Sequence, residues 1–134
     1  MEIEKVIEYH NDMVSLRNLL IVNRIDFECI VALKRSGWIL GSYLSNYFDI
    51  PVFSESEIKS IPINKYKNIL IVDDKVCTGH SFIKCRNKLL KHNINFNINN
   101  AVLYIEGNKI SASISIHQYV KKLNQSKKMY YETY

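Results

Sequence analysis

The sequence predicts an α/β fold in which a mostly parallel sheet of about five strands is flanked by helices. Three observations predict it. The runs Phe27–Leu33 and Ile69–Val72 are almost unbroken in apolar residues, as in strands buried on both faces rather than one. Each run stops abruptly at charged residues, passes a glycine and enters a helix-patterned segment. Along the chain the order is helix, then β-α-β, then β-α-β-β, an alternation that puts helices over a parallel sheet.

The totals fit one domain spanning residues 1–134, with a core from about 27 to 117. The chain has 134 residues, 47% hydrophobic and 23% charged, ordinary values for a globular protein. Its formal net charge of +5 suits an anionic ligand without singling out nucleic acid. Three cysteines, Cys29, Cys77 and Cys85, have no framework spacing. They are expected to be reduced thiols in a cytoplasmic protein, with Cys29 and Cys85 as small core residues. No apolar run approaches a membrane span, and the acidic start does not read as a signal peptide.

Residues 4–24 read as a helix with Val6, Ile7, Met13, Val14, Leu16, Leu19, Leu20 and Val22 on its apolar stripe. Strand one is Phe27–Leu33. Lys34-Arg35-Ser36-Gly37 is expected as a loop, followed by a helix over Trp38–Phe48. Trp38 is expected to anchor that helix, and Gly41 and Ser42 are small enough for close packing on a sheet. A turn at Asp49-Ile50-Pro51 leads to a short strand at Pro51–Phe53. Ser54–Lys67 reads as a surface loop with a helical turn near Glu55–Ser60. The central strand Asn68–Val72 follows, then a loop and a helix over Ser81–His92. The Asn-rich stretch 92–100 reads as a connector to strand Ala101–Ile105. Ile110, Ala112, Ile114 and Ile116 alternate with polar residues, predicting an edge strand. The tail from Gln118 is basic and rich in tyrosine.

Right-handed crossovers place strand one beside the central strand and strand two outside strand one. The helices that follow strand one and the central strand then lie on opposite faces. That makes a topological switch point, and ligands in open α/β sheets bind beyond the carboxyl ends of the strands there.

Two segments reach that place. One runs Ile69-Leu70-Ile71-Val72-Asp73-Asp74-Lys75-Val76-Cys77-Thr78-Gly79-His80-Ser81. A strand, a Gly-containing loop and a helix N-terminus form an anion-binding layout, with hydroxyl donors at Thr78 and Ser81. The acids suit sugar hydroxyls or a hard cation such as Mg²⁺. A Walker B reading would require G-x-x-x-x-G-K-[ST], which the chain lacks. The run resembles the phosphoribosyl-diphosphate (PRPP) motif of the type I phosphoribosyltransferases: four apolar residues, two acids, a short variable run, then Thr-Gly-x-Thr/Ser. The second segment, Lys34-Arg35-Ser36-Gly37, is similar to that family's pyrophosphate loop.

The resemblance extends from about Phe27 to Ile105 and implies a phosphoribosyltransferase-like domain. It would transfer the phosphoribosyl group of PRPP to a nitrogenous base and release pyrophosphate, with Mg²⁺ as cofactor. Asp73, Asp74, Lys34 and Arg35 would be catalytic, with Asp73 and Asp74 as the metal ligands. Cys77, Thr78, Gly79, His80 and Ser81 would cradle the 5′-phosphate, and Lys34, Arg35, Ser36 and Gly37 the pyrophosphate. The N-terminal helix and the C-terminal tail are the candidates for a base-selecting hood. Tyr104, His117 and Tyr119 are candidates for the base pocket. Relatives are often homodimers.

The chain departs from the pattern where many members carry an acid three residues after the acid pair. Cys77 stands there, and a thiol is a poor substitute for a carboxylate as a proton acceptor. Its loop before the central strand is also short. These departures keep open an alternative, a catalytically reduced module of the same fold that binds PRPP or a nucleotide and regulates a partner. Nucleic-acid binding, suggested by the charge and the tail, is disfavoured.

Overall fold

The computed structural model describes residues 2–107 and 115–116, and the backbone of 121–123. Helix α1 spans Ile3–Val22, strand β1 Cys29–Ala32, helix α2 Lys34–Phe48 and strand β2 Val52–Ser54. A 3₁₀ helix, Glu55–Ser60, precedes strand β3, Asn68–Val76. Helix α3 covers His80–His92, strand β4 Asn97–Glu106 and strand β5 Lys121–Leu123. The strands pair in the order β2-β1-β3-β4-β5, and every pairing is parallel. The predicted neighbours are therefore observed, with β1 between β2 and β3.

Strand alternation divides the core into two layers. Ile30, Ala32, Leu70, Val72, Ala101 and Leu103 face Tyr9, Met13, Leu16 and Leu20 of α1 and Leu40 and Leu44 of α2. Cys29, Val31, Leu33, Ile69, Ile71 and Val102 face Phe82, Cys85 and Leu89 of α3 and Ile58 of the 3₁₀ helix. The helices after β1 and β3 thus lie on opposite faces, as the switch point requires. Gly41 sets how closely α2 approaches the sheet. A Cβ there would come within 2.9 Å of the Ala32 Cβ and 3.2 Å of Val52 Cγ2. Burial pushes the Cys29 and Cys85 thiols up to about 12, so both are inert core residues.

Four expectations need correction. On α1 the buried stripe is Tyr9, Met13, Leu16 and Leu20, while Val6, Ile7, Leu19 and Val22 are exposed. The helix carries apolar residues around most of its circumference, and only the face aligned at i, i+4, i+7 and i+11 meets the sheet. Trp38 is 40% exposed and is not among the residues of either core layer. The neighbouring Gly37, Leu40, Gly41 and Leu44 form the packed face of α2. Asn97–Asn100 is not a connector but the first part of β4, in register with Asn68–Ile71. Ladder pairing overrides the poor strand propensity of Asn, and Asn97 Nδ2 donates to Asn68 Oδ1 at 3.2 Å. The fifth strand is Lys121–Leu123, within the basic tail. Of the alternating segment 110–117, residues 115–116 carry no regular structure, and the rest lies outside the described residues. No described helix is long and apolar enough to cross a membrane.

Candidate functional site

The site begins where β1 hands over to α2. The Leu33 amide donates to the Val72 carbonyl at 2.9 Å, holding the end of β1 against β3. Lys34 then takes a left-handed conformation, φ 56°. That costs a non-glycine residue about 1–2 kcal/mol. Helix α2 starts at Lys34 itself, so the expected loop Lys34–Gly37 is instead a first helical turn. Amides of a first turn lack intrahelical acceptors, and a left-handed residue next to helical ones turns successive N–H groups toward one side. The unusual dihedral falls on Lys34 and not on Gly37. What Gly37 provides is proximity: a Cβ there would lie 3.0 Å from the Val72 carbonyl oxygen and 3.2 Å from Asp73 Oδ1.

Strand β3 does not stop at the two acids but continues to Val76, with Lys75 and Val76 in register with Tyr104 and Ile105. Both acids are buried, Asp73 at 3% and Asp74 at 1% exposure. Asp73 Oδ1 accepts from the Asp74 amide at 2.8 Å and, at 3.4 Å, from the Ser36 hydroxyl. Among the described residues, Asp74 Oδ2 has no hydrogen-bond partner. Burial raises the Asp73 pKa well above the usual carboxylate range, and the hydrogen bond and charge of Asp74 add to the shift. Lys34 acts in the opposite direction. Behind the acids, the buried Tyr104 phenol donates to Asp12 of α1. Burial, that hydrogen bond and the charges of Asp12, Glu8 and Asp74 raise its pKa, so it stays protonated.

After β3 the chain turns through Cys77 and Thr78 to Gly79, whose φ of 90° only glycine adopts cheaply. Helix α3 starts one residue earlier than expected, at His80. The Ile83 amide bonds the Gly79 carbonyl at 3.0 Å, and the His80 amide lies 3.4 Å from the Thr78 hydroxyl. The first amides of α3 and its positive dipole end thus open beside the acids.

A cleft of about 100 Å³ lies between these two turns. Lys34 and Asp73 line it with Cys77, Thr78, Gly79, His80 and Ser81. Residues separated by almost forty positions meet because β1 and β3 are adjacent and parallel. Ser36 and Gly37 border the cleft through their contacts with Asp73. Arg35 is exposed and outside the lining, and Asp74 is buried and outside it as well. Lys75, not singled out in the sequence, also lines the cleft and pairs with Glu106 at 3.5 Å. Its only sequence signal is a cation directly after the acid pair. Tyr104 points its hydroxyl at α1, while His117 and Tyr119 lie outside the described residues.

No family model matches the sequence, and no curated protein matches it. Solved structures do. A xanthine-guanine-hypoxanthine phosphoribosyltransferase from Helicobacter pylori superposes with a TM-score of 0.69 at 22% identity, covering 85% of this chain and 81% of that one. A purine phosphoribosyltransferase from Pyrococcus horikoshii gives 0.67 at 18%, covering 96% and 92%. The chain has the type I phosphoribosyltransferase fold. A hypothetical protein from Neisseria gonorrhoeae with bound ppGpp shares that fold, with a TM-score of 0.72 at 18% identity over 87% of this chain and 79% of its own.

Among the described residues, no three His, Cys, Asp or Glu side chains gather into a metal cage. The Asp73 carboxylate at the cleft nevertheless fits a hard cation that takes its remaining ligands from a bound phosphate or from water, while Asp74 lies outside the lining.

Proposed function

We propose that the chain is a phosphoribosyltransferase that displaces pyrophosphate from PRPP with a ring nitrogen of a base. One observation carries this reading: Lys34 and Asp73 line a single cleft together with the Thr78–Ser81 turn, at the carboxyl ends of adjacent strands. The names of the fold's solved relatives support it.

In this reading the amides at the start of α3, with the Thr78 and Ser81 hydroxyls, hold the 5′-phosphate. The first turn of α2, with Lys34, holds the diphosphate, and Arg35 reaches it from the rim as a bidentate donor. Breaking the C1–O bond builds positive charge on the ribose and negative charge on the departing diphosphate. Asp73, which lines the cleft, stabilises the ribose side with the charge of the adjacent Asp74 added to it, and the cations at Lys34 and Arg35 hold the leaving group. Asp73 would also hold Mg²⁺, with Asp74 adding negative charge beside it, and the ion would neutralise diphosphate charge when bound. A carboxylate raised by burial and by its neighbour gains more than an ordinary one from a bound cation, which favours its ionised form.

A second reading is supported by Cys77, exposed at the cleft where a carboxylate would serve as proton acceptor. It is supported too by the fold relative with bound ppGpp. The chain would then bind PRPP or a nucleotide without turnover and act on a partner. The deciding experiment measures PRPP binding by calorimetry and PRPP consumption with purine, pyrimidine and other nitrogen acceptors. Turnover with one acceptor establishes the enzyme. Binding without turnover establishes the regulatory module, and no binding defeats both.

A further inference from the structure

We propose that the cleft between the 3₁₀ helix and α3 is a second ligand site, for a phosphomonoester carried on an apolar body. The cleft measures about 720 Å³ and is lined by Glu55, Ile58, Lys59, Lys88, Lys91 and His92 among others. Helix α3 holds Lys84, Arg86, Lys88 and Lys91 and no acid. Lys84, Lys88 and Lys91 recur at i, i+4 and i+7, on one face, where like charges repel. Glu55 answers only one of them, with its carboxylate 2.8 Å from Lys88 Nζ. Lys59 and Lys91 have no acidic partner among the described residues. His92 Nε2 lies 2.8 Å from the Ile61 carbonyl oxygen and must donate there, which leaves Nδ1 for another partner.

Three ammonium groups against one carboxylate leave two uncompensated positive charges. A phosphomonoester carries about −1.5 to −2 at neutral pH and matches them. The volume exceeds what a bare phosphate fills and falls in the range of about 300–1,000 Å³ that holds organic ligands. The aliphatic stems of Lys59, Lys88 and Lys91 supply apolar contact for the ligand body, with Ile58, 4% exposed, at the floor. The place is distinct from the site between β1 and β3. Lys88 stands about 12 Å along α3 from His80, at 1.5 Å per residue, so the site does not depend on the phosphoribosyltransferase reading.

The test is an amide NMR titration of the full chain with 1-naphthyl phosphate, with inorganic phosphate and 1-naphthol as controls. Saturable shifts are expected at Ile58, Lys59, Lys91 and His92. Binding should weaken about tenfold or more in the Lys59→Ala/Lys91→Ala double variant and for inorganic phosphate. Both lysines are exposed, so the variant should keep its melting temperature; the wild-type shift map stands even if it does not. Shifts confined to residues 78–82, unchanged affinity in a folded double variant, or equal binding of 1-naphthol would overturn the proposal.

Discussion

The Ser36 hydroxyl lies 3.4 Å from Asp73 Oδ1, across the junction between the first turn of α2 and the end of β3. That contact ties a predicted phosphate-binding turn to a predicted ribose-binding acid before any ligand arrives. Removing it in Ser36→Ala leaves Asp73 its bond to the Asp74 amide. The expected loss of stability is therefore small, about 0.5–1.5 kcal/mol. PRPP affinity should fall about three- to tenfold, because the carboxylate loses a lateral restraint. Chemical denaturation alongside calorimetry separates the two effects.

Gly37→Ala should do more harm. The added methyl meets the Val72 carbonyl oxygen at 3.0 Å and Asp73 Oδ1 at 3.2 Å, and the first is backbone that cannot rotate away. Overpacking of this kind costs about 1–3 kcal/mol. The displacement is directed at Asp73, so PRPP binding should drop by more than stability alone accounts for. Urea unfolding and binding of PRPP at a temperature where the variant is fully folded check both.

The frame of this site was legible because it rests on patterns with few alternatives. Ile69–Val72 can hardly be anything but a doubly buried strand, and a Thr-Gly-x-Ser turn after an acid pair resembles one family's motif. The crossover rule then brought strand one alongside. The misreadings arose where local signals compete with tertiary pairing. Asn97–Asn100 looks like a loop by composition, yet its backbone completes the ladder with β3. Lys34–Gly37 looks like a loop because Arg-Ser-Gly is polar and small, yet a left-handed Lys34 lets the helix begin at once. Burial of Asp74 outside the cleft lining, and the role of Tyr104 in linking the strand end to α1, depend on packing and leave no trace in spacing.

The buried acid pair should make stability fall as pH rises. In the unfolded chain Asp73 titrates near 3.9; in the fold its pKa is raised by burial and by Asp74. Between those values the native state holds the proton more tightly, so unfolding releases it. Its contribution to stability is full below about 4 and is lost as pH climbs through the folded value. Asp73→Asn keeps the shape without the charge. It should flatten this dependence and raise stability above neutral pH by about 1–3 kcal/mol, while abolishing PRPP-induced thermal stabilisation. Melting curves from pH 5 to 9, with and without PRPP and Mg²⁺, test the sign. A variant less stable than wild type at pH 8 contradicts it.

The three cysteines offer a direct probe of the cleft. Cys29 and Cys85 are buried, with thiols pushed up to about 12, whereas Cys77 is exposed and lines the cleft beside Thr78 and Asp73. A disulfide reagent reacts through the thiolate and needs access. One thiol per chain should therefore react in the native protein, and Cys77→Ser should remove that reaction. In the proposed reading PRPP covers the turn, so it should slow the reaction about tenfold or more, with the slowing lost in Asp73→Asn. Rapid modification of Cys77 at saturating PRPP would place the ligand elsewhere. Cys77→Asp probes the chemistry of the same position: it restores a carboxylate proton acceptor, and general-base catalysis contributes roughly 100-fold or more where geometry permits. Nucleotide formation with purine acceptors should rise at least about tenfold in that variant if the chain is an enzyme limited by its thiol. It should stay absent if the chain only senses its ligand.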